Sequence, residues 1–555
     1  MGKISRRGLL GGIGAAAAAG ALPARGAVKA SGFVEVMRTP STVTAFAGLG
    51  SAMELTRSGD AWGTGQVSVG TPVSDGAMRV TVRSPAVALT HVRIRWAGAI
   101  AGDVKVLGDA WERSYGDLEW RGIVPERAMP WYCAVHAAGE THGYGVKTGA
   151  KAMAFWQVDA EGVTLWLDVR NGGEGVRLGD RTLDAVTVVS RRGKDGEDAG
   201  AAIAAFCTVM CERPARKTTA IFGSNDWYYA YGNNTAAGIE RDADLMAEVA
   251  TGGTVRPFTI IDDGWQKPAK FPDMHGLAAS IARKGVRPGI WVRPLEAHAG
   301  APEGLLLSAA RYGGRTDRRK GLAFDPTVPE ALEIVLKKVT DAVAWGYELV
   351  KHDFSTYELF GQWGFEMGAS PTLAGWGFSD RTKTNAEIVN DLYGAIRGAA
   401  GEKTCVIGCN TVGHLSAGVF EANRTGDDVS GKVWERTRKM GVNTLAFRLP
   451  QNRRFFVGDA DCVPVTAAIP WEKTKMWMDV VARSGTALIV SADPAVVGAK
   501  QKTALKEAFA LAAQPVGTVT AEDWMETTTP GKWRLGGVKK MYGWSGVDGA
   551  WPFGA

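Results

Sequence analysis

The sequence predicts an α/β protein in which a (β/α)8 barrel follows an N-terminal antiparallel β-sandwich and precedes a short C-terminal β region. Three observations carry that expectation. Between residue 31 and about 200, short runs alternate apolar and polar positions and are separated by Gly, Asp and Asn turns. From about residue 217, short apolar runs interleave with longer stretches of helical periodicity, eight runs in all. The chain has 555 residues, room for three or four units, one of them the roughly 250 residues of such a barrel.

Taken in order, residues 1–30 read as an address. Arg6-Arg7 precede an apolar Ala/Gly-rich run from Gly8 to Leu22, too short and small-sided to span a bilayer. Ser5-Arg6-Arg7-Gly8-Leu9-Leu10 looks like a twin-arginine export signal, so the mature chain is expected in the periplasm or outside the cell. The formal charge is +6, but four basic residues lie in the first 26 positions; without them 60 cations face 58 acids, which disfavours nucleic acid as a partner. Nothing after the N-terminus approaches the length of a membrane span.

Residues 31–205 form the expected sandwich, with strands at 78–82, 92–96, 162–169 and 185–189, followed by a helical connector near 201–211. Residues 206–512 form the expected barrel. Its strands are read at 219–223, 257–261, 287–292, 348–352, 404–408, 418–422, 444–447 and 487–490. Its helices are read at 235–250, 274–284, 329–345, 385–399, 432–440, 473–483 and 500–511. The fifth and sixth strands lie too close for a full crossover helix. Residues 513–555 hold two short strands, at 533–535 and 540–544.

Six cysteines are scattered, with no dense disulfide framework and no CxxC pair. Seven histidines form no HExxH or Cys/His cluster, so a structural zinc is not expected. The 20 tryptophans suit sugar stacking as well as core packing.

A barrel places its chemistry where strands run into the βα loops. Those ends read Asn225-Asp226-Trp227-Tyr228-Tyr229, Asp262-Asp263-Gly264-Trp265, Trp291-Val292-Arg293, Lys351-His352-Asp353, Cys409-Asn410 and Arg424-Thr425-Gly426-Asp427-Asp428. For any single acid, a helix cap or surface ion pair is the simpler role. Carboxylates, cations and tryptophans converging on one rim are the parts of a glycosidase, because retaining hydrolysis needs one carboxylate as nucleophile and another as proton donor. Lys351, two residues before Asp353, shares its face of the strand and is expected to keep Asp353 ionised. The donor calls for a raised pKa.

These segments, with Pro288-Gly289-Ile290-Trp291, Lys351-His352-Asp353-Phe354, Gly408-Cys409-Asn410 and Gly458-Asp459-Ala460-Asp461-Cys462, resemble glycoside hydrolase family 36 of the α-galactosidase clan across about residues 217–512. The resemblance implies Asp353 as nucleophile and Asp428 as acid/base, with Asp427 as the fallback. It implies that Asp262 and Asp263 accept sugar hydroxyl bonds and that Trp227, Trp291, Lys351, Cys409 and Arg424 line the sugar. Cys409 and Asn410 would face its 2-substituent. No cofactor or metal is implied, and the partner is an oligosaccharide or glycoconjugate. An α-N-acetylgalactosaminidase, a transglycosylase and a catalytically silent glycan-binding protein are the alternatives. Three features depart from the pattern: an acid at Asp427, a polar His352, and a short C-terminal sheet. Trp111 or Trp120, in the charged aromatic stretch 111–120, is a candidate to reach the barrel mouth.

Overall fold

The computed structural model describes residues 32–250, 253–314, 321–547 and 549–551, so the export signal read at 1–30 lies outside the described residues. Two antiparallel sheets come first, of six and nine strands. The strand Ala77–Arg83 shows the logic: Met78, Val80 and Val82 are buried while Arg79 and Arg83 face outward. Every second residue thus enters the core, which alternating sequence demands of a strand with one wet face. The predicted strands fall within Ala77–Arg83, His91–Ala97, Gly162–Asp168 and Leu183–Arg191, with one end residue over. Trp96 and Trp156 stack 6.1 Å apart in this core. The connector helix Ala199–Met210, capped by Asp198 on the Ala201 amide, leads into the barrel.

Eight parallel strands close the barrel: β1 (Phe222–Asn225), β2 (Phe258–Ile261), β3 (Arg287–Val292), β4 (Leu349–His352), β5 (Cys405–Gly408), β6 (Ala422–Arg424), β7 (Val457–Val465) and β8 (Ala487–Ala492). Closure is made by β1 against β8, with Phe222 opposite Leu488. Both faces are covered, so β2 and β4 are buried throughout. The helices outside start where the sequence supplies caps. Thr235 accepts from Gly238, Asp273 from Gly276, and Thr384 with Glu387 forms a reciprocal box, each worth about 1 kcal/mol. Between β5 and β6 stands only the single turn Gly413–Ser416, as the close spacing of these strands requires.

Three strands differ from expectation; the first lies at Phe222–Asn225 rather than 219–223. The sixth lies at Ala422–Arg424 rather than 418–422. The seventh is Val457–Val465, and residues 444–447 belong to the helix Thr444–Arg448, entered through a π-helical turn at Arg438–Asn443. These last two are buried yet partly polar. Asn423 bonds Thr411 and Ser416, and Arg424 pairs with Asp461, so buried polar residues interrupt the apolar run that pattern reading follows.

The C-terminal region is a three-stranded antiparallel sheet, Val519–Ala521, Lys532–Leu535 and Val538–Met541, one strand more than expected. Among the described residues no helix is long and apolar enough to cross a membrane, and all six cysteines are unpaired.

Candidate active site

Asp353 follows the last residue of β4 and is almost fully buried. One carboxylate oxygen accepts the indole N–H of Trp291, from β3, at 2.9 Å. The other accepts the backbone amides of Phe354 at 2.7 Å and Asn410 at 3.1 Å. Three donors from three consecutive strand ends therefore fix its orientation. The next residue, Phe354, has φ 64°, a left-handed conformation costing a bulky residue about 1–3 kcal/mol. Packing compensates: the Arg293 guanidinium lies 4.3 Å from the Phe354 ring, and Trp363 meets that ring edge-on at 5.7 Å. Arg293 is itself held by buried Glu358 at 2.7 Å.

Lys351 does not serve Asp353 as the strand pattern suggests. Its ammonium pairs with Asp262 at 2.8 Å. Asp262, just past β2, also accepts Asn225 Nδ2 at 2.7 Å and the Asp263 amide at 2.9 Å, while its own amide donates to Asp226. Burial, with Asp262 close by, pushes the Asp226 carboxyl up to about 7. Asp263 is half-buried and turned toward Gly264 and Gln266. Trp227 is half-buried beside Tyr231, with its amide on Asn225. Asp263 and Trp227 thus join the group through backbone amides rather than side-chain bonds.

Asp428, in the loop after β6, anchors the other side. Arg424 donates to it at 3.2 Å and Arg113 approaches at 3.5 Å, leaving its side chain 42% exposed at the mouth. Burial opposes ionisation, but Arg113, Arg424 and Lys351 outweigh it and hold the carboxyl at about 2. The raised value that sequence reasoning asks of a proton donor is therefore not what the free site provides. Arg424, nearly fully buried, also binds Asp461 at 2.8 Å and Cys409 Sγ at 3.3 Å. Asp461 reaches it from a bulge in β7, where φ is 68° and the register against β8 shifts. Cys409 lies in the field of both Asp353 and Arg424, and burial drives its thiol pKa far up, so it is a neutral packing group. Asn410 gives its side-chain amide to Glu112 and accepts the Tyr357 amide at 2.9 Å.

Asp427, the fallback for the acid, is locked between Arg113 at 2.8 Å and Arg436 at 2.7 Å. The sandwich does reach the mouth, but not by its tryptophans. Trp111 and Trp120 are buried in the interior, Trp111 donating to the Gly368 carbonyl. The arriving residues are Glu112, Arg113 and Ser114. Glu112, fully buried, accepts from Asn410, Tyr115 and the Gly364 amide, and burial lifts its carboxyl to about 7. Sequence reasoning singled out this stretch but followed its aromatic residues; its charges were the better signal.

Solved structures of similar fold exist. TtGalA, an α-galactosidase from Thermus thermophilus in complex with p-nitrophenyl α-D-galactopyranoside, matches 86% of this chain and 97% of its own at TM-score 0.58 and 19% identity. The GH36 α-galactosidase AgaA from Geobacillus stearothermophilus matches 80% of this chain and 67% of its own, at TM-score 0.55 and 13% identity. AgaB from the same organism gives 0.53 and 12%, over 80% of this chain and 66% of its own. At these identities the likeness is one of fold: antiparallel sheets ahead of a closed parallel barrel. No protein-family model and no curated protein matches the sequence.

Proposed function

We propose that the protein is an exported retaining α-glycosidase, an α-galactosidase acting on terminal α-galactosides of an oligosaccharide or glycoconjugate. The observation that carries this reading is Asp353: a buried carboxylate at a barrel strand end, oriented by Trp291 and two amides, with Asp428 beyond Cys409 and Arg424 on the same rim. Asp353 attacks the anomeric carbon while Asp428 protonates the departing oxygen; water activated by Asp428 then cleaves the glycosyl-enzyme. Asp262, fixed by Lys351, accepts a sugar hydroxyl. With Asp428 at about 2, its proton is scarce at neutral pH, so the first step is fastest on the acid side. The fold shared with α-galactosidases solved with p-nitrophenyl α-galactoside or stachyose supports this substrate class. Export rests on the twin-arginine pattern at residues 5–10.

The test is a panel of nitrophenyl α- and β-glycosides, including the α-N-acetylgalactosaminide, with the first-formed anomer read by NMR. An α-galactose product cleaved by the wild type and lost in Asp353→Asn is expected. A β-galactose product, or an Asp353→Asn variant at full rate, removes the assignment.

A further inference from the structure

Six charged groups form a single alternating chain across the mouth. Arg436 meets Asp427 at 2.7 Å, Asp427 meets Arg113 at 2.8 Å, and Arg113 meets Asp428 at 3.5 Å; Asp428 meets Arg424 at 3.2 Å and Arg424 meets Asp461 at 2.8 Å. The links are unequal. Asp427 is the closer ion-pair partner, at 2.8 Å, whereas Asp428 is met only at the outer limit of a hydrogen bond. We propose that Arg113, delivered by the sandwich, is a positioning residue shared between two aspartates, and that Asp427 restrains it from fully engaging Asp428. The proposal rests on reading Asp428 as the proton donor and gives a role to the unexpected acid beside it.

The geometry leaves Arg113 little freedom. It is 5% exposed, with its guanidinium 5.5 Å from the Trp363 ring and 5.8 Å from that of Tyr115. Its backbone is fixed by the next residue: Ser114 forms a parallel bridge with Gly426, donating its amide to Thr425 and accepting the Asp427 amide at 2.8 Å. The same strip of chain therefore sets the positions of Arg113 and Asp427 together. Arg436 occupies the second oxygen of Asp427 and keeps that carboxylate from turning away. The other groups acting on Asp428 are Arg424 from β6, Lys351 from β4 and Arg436 from the helix after β6, with Tyr228 from the short helix after β1 also in its field. Arg113 alone comes from outside the barrel. Opposite charges at such distances move a carboxyl by one to three pH units, so a modest change in how closely the guanidinium sits is large enough to matter.

The two ends of this link make opposite predictions. In Arg113→Gln the basic limb of kcat/KM moves up by about one pH unit, because Asp428 keeps its proton longer. In Asp427→Asn the limb moves down by a similar amount, since Arg113 is released toward Asp428 and a nearby negative charge is lost. Arg113→Lys, which keeps the charge, stays near the wild-type position. A purely structural loop would lower activity in both variants without separating the limbs. A second readout needs no turnover: the side-chain carboxyl carbon of Asp428, assigned by its absence in Asp428→Asn, is titrated by NMR in full-length wild type and in each variant. Shifts of opposite sign are expected. Unchanged titration, or shifts of the same sign, overturns the proposal. Wild-type protein inactive on every glycoside removes the glycosidase reading, while the titration still decides the coupling.

Discussion

Lys351, in β4, reaches past β3 to bind Asp262 at the end of β2, Nζ to Oδ2 at 2.8 Å. Both side chains are largely buried, so neither charge has water to fall back on. Lys351→Met leaves Asp262 with Asn225 and an amide as its remaining donors. The expected cost is about 3–5 kcal/mol, read as a lowered urea midpoint against wild type. Weaker sugar binding accompanies it, because Asp262 loses the partner that fixes its orientation.

Trp291→Phe keeps an aromatic ring, smaller than the indole, and removes the N–H that Asp353 accepts. The carboxylate then retains only its two amide donors. We expect kcat to fall about 10- to 100-fold with a much smaller change in KM, measured by steady-state kinetics on the nitrophenyl α-galactoside. An equal loss in binding and turnover would show that the ring, rather than its N–H, is what counts.

Gly426 is a glycine because the chain runs too close for anything larger. A Cβ there would lie 2.4 Å from Thr444 Oγ1 and 2.7 Å from the Met440 carbonyl. Gly426→Ala should cost about 1–3 kcal/mol and weaken the bridge to Ser114. Thermal unfolding measures the first effect, and faster proteolytic cutting within 111–118 measures the second.

Stability should fall on the acid side of neutrality. Burial lowers His352 from 6.5 to about 4, and His414 likewise. As pH drops below 6.5 the unfolded chain takes up protons that the folded chain refuses until about 4. The stabilising difference is therefore whole above 6.5 and is lost progressively between 6.5 and 4. His352 lies edge-on to Tyr393 and Phe420, and neither ring nitrogen has a partner among the described residues. His352→Phe should flatten the pH dependence by up to about 3 kcal/mol, seen by chemical denaturation at pH 7 and pH 4.5.

Much of this fold was legible because apolar periodicity reports burial. The helices Ala236–Val249, Met274–Arg283 and Asn385–Ala400 begin and end close to where their caps and patterns predict. The barrel mouth was legible for a different reason, since acids and cations recur at successive strand ends. Pattern reading failed where the interior is polar. In β6 and β7 the buried residues include Asn423, Arg424, Asp459 and Asp461, whose polar bonds interrupt the apolar contacts of their neighbours. Lys351 was placed on the correct face, but its partner was not visible, because Asp262 lies 89 positions away. Arg113 stood in a charged stretch the sequence does mark, but its partner was hidden for the same reason: Asp428 lies 315 residues away.

The stitching of residues 112–118 onto 425–448 also bears on modularity. Ser114 pairs with Thr425 and Asp427, Arg448 grips the Glu112 carbonyl, and Asn443 exchanges two hydrogen bonds with the Leu118 backbone. A barrel excised at residue 206 would keep Asp353, Asp427 and Asp428 yet lose Glu112 and the cation that neutralises two of those aspartates. Grafting this barrel behind a foreign sandwich would succeed only if the newcomer's loop carried a guanidinium to the same spot.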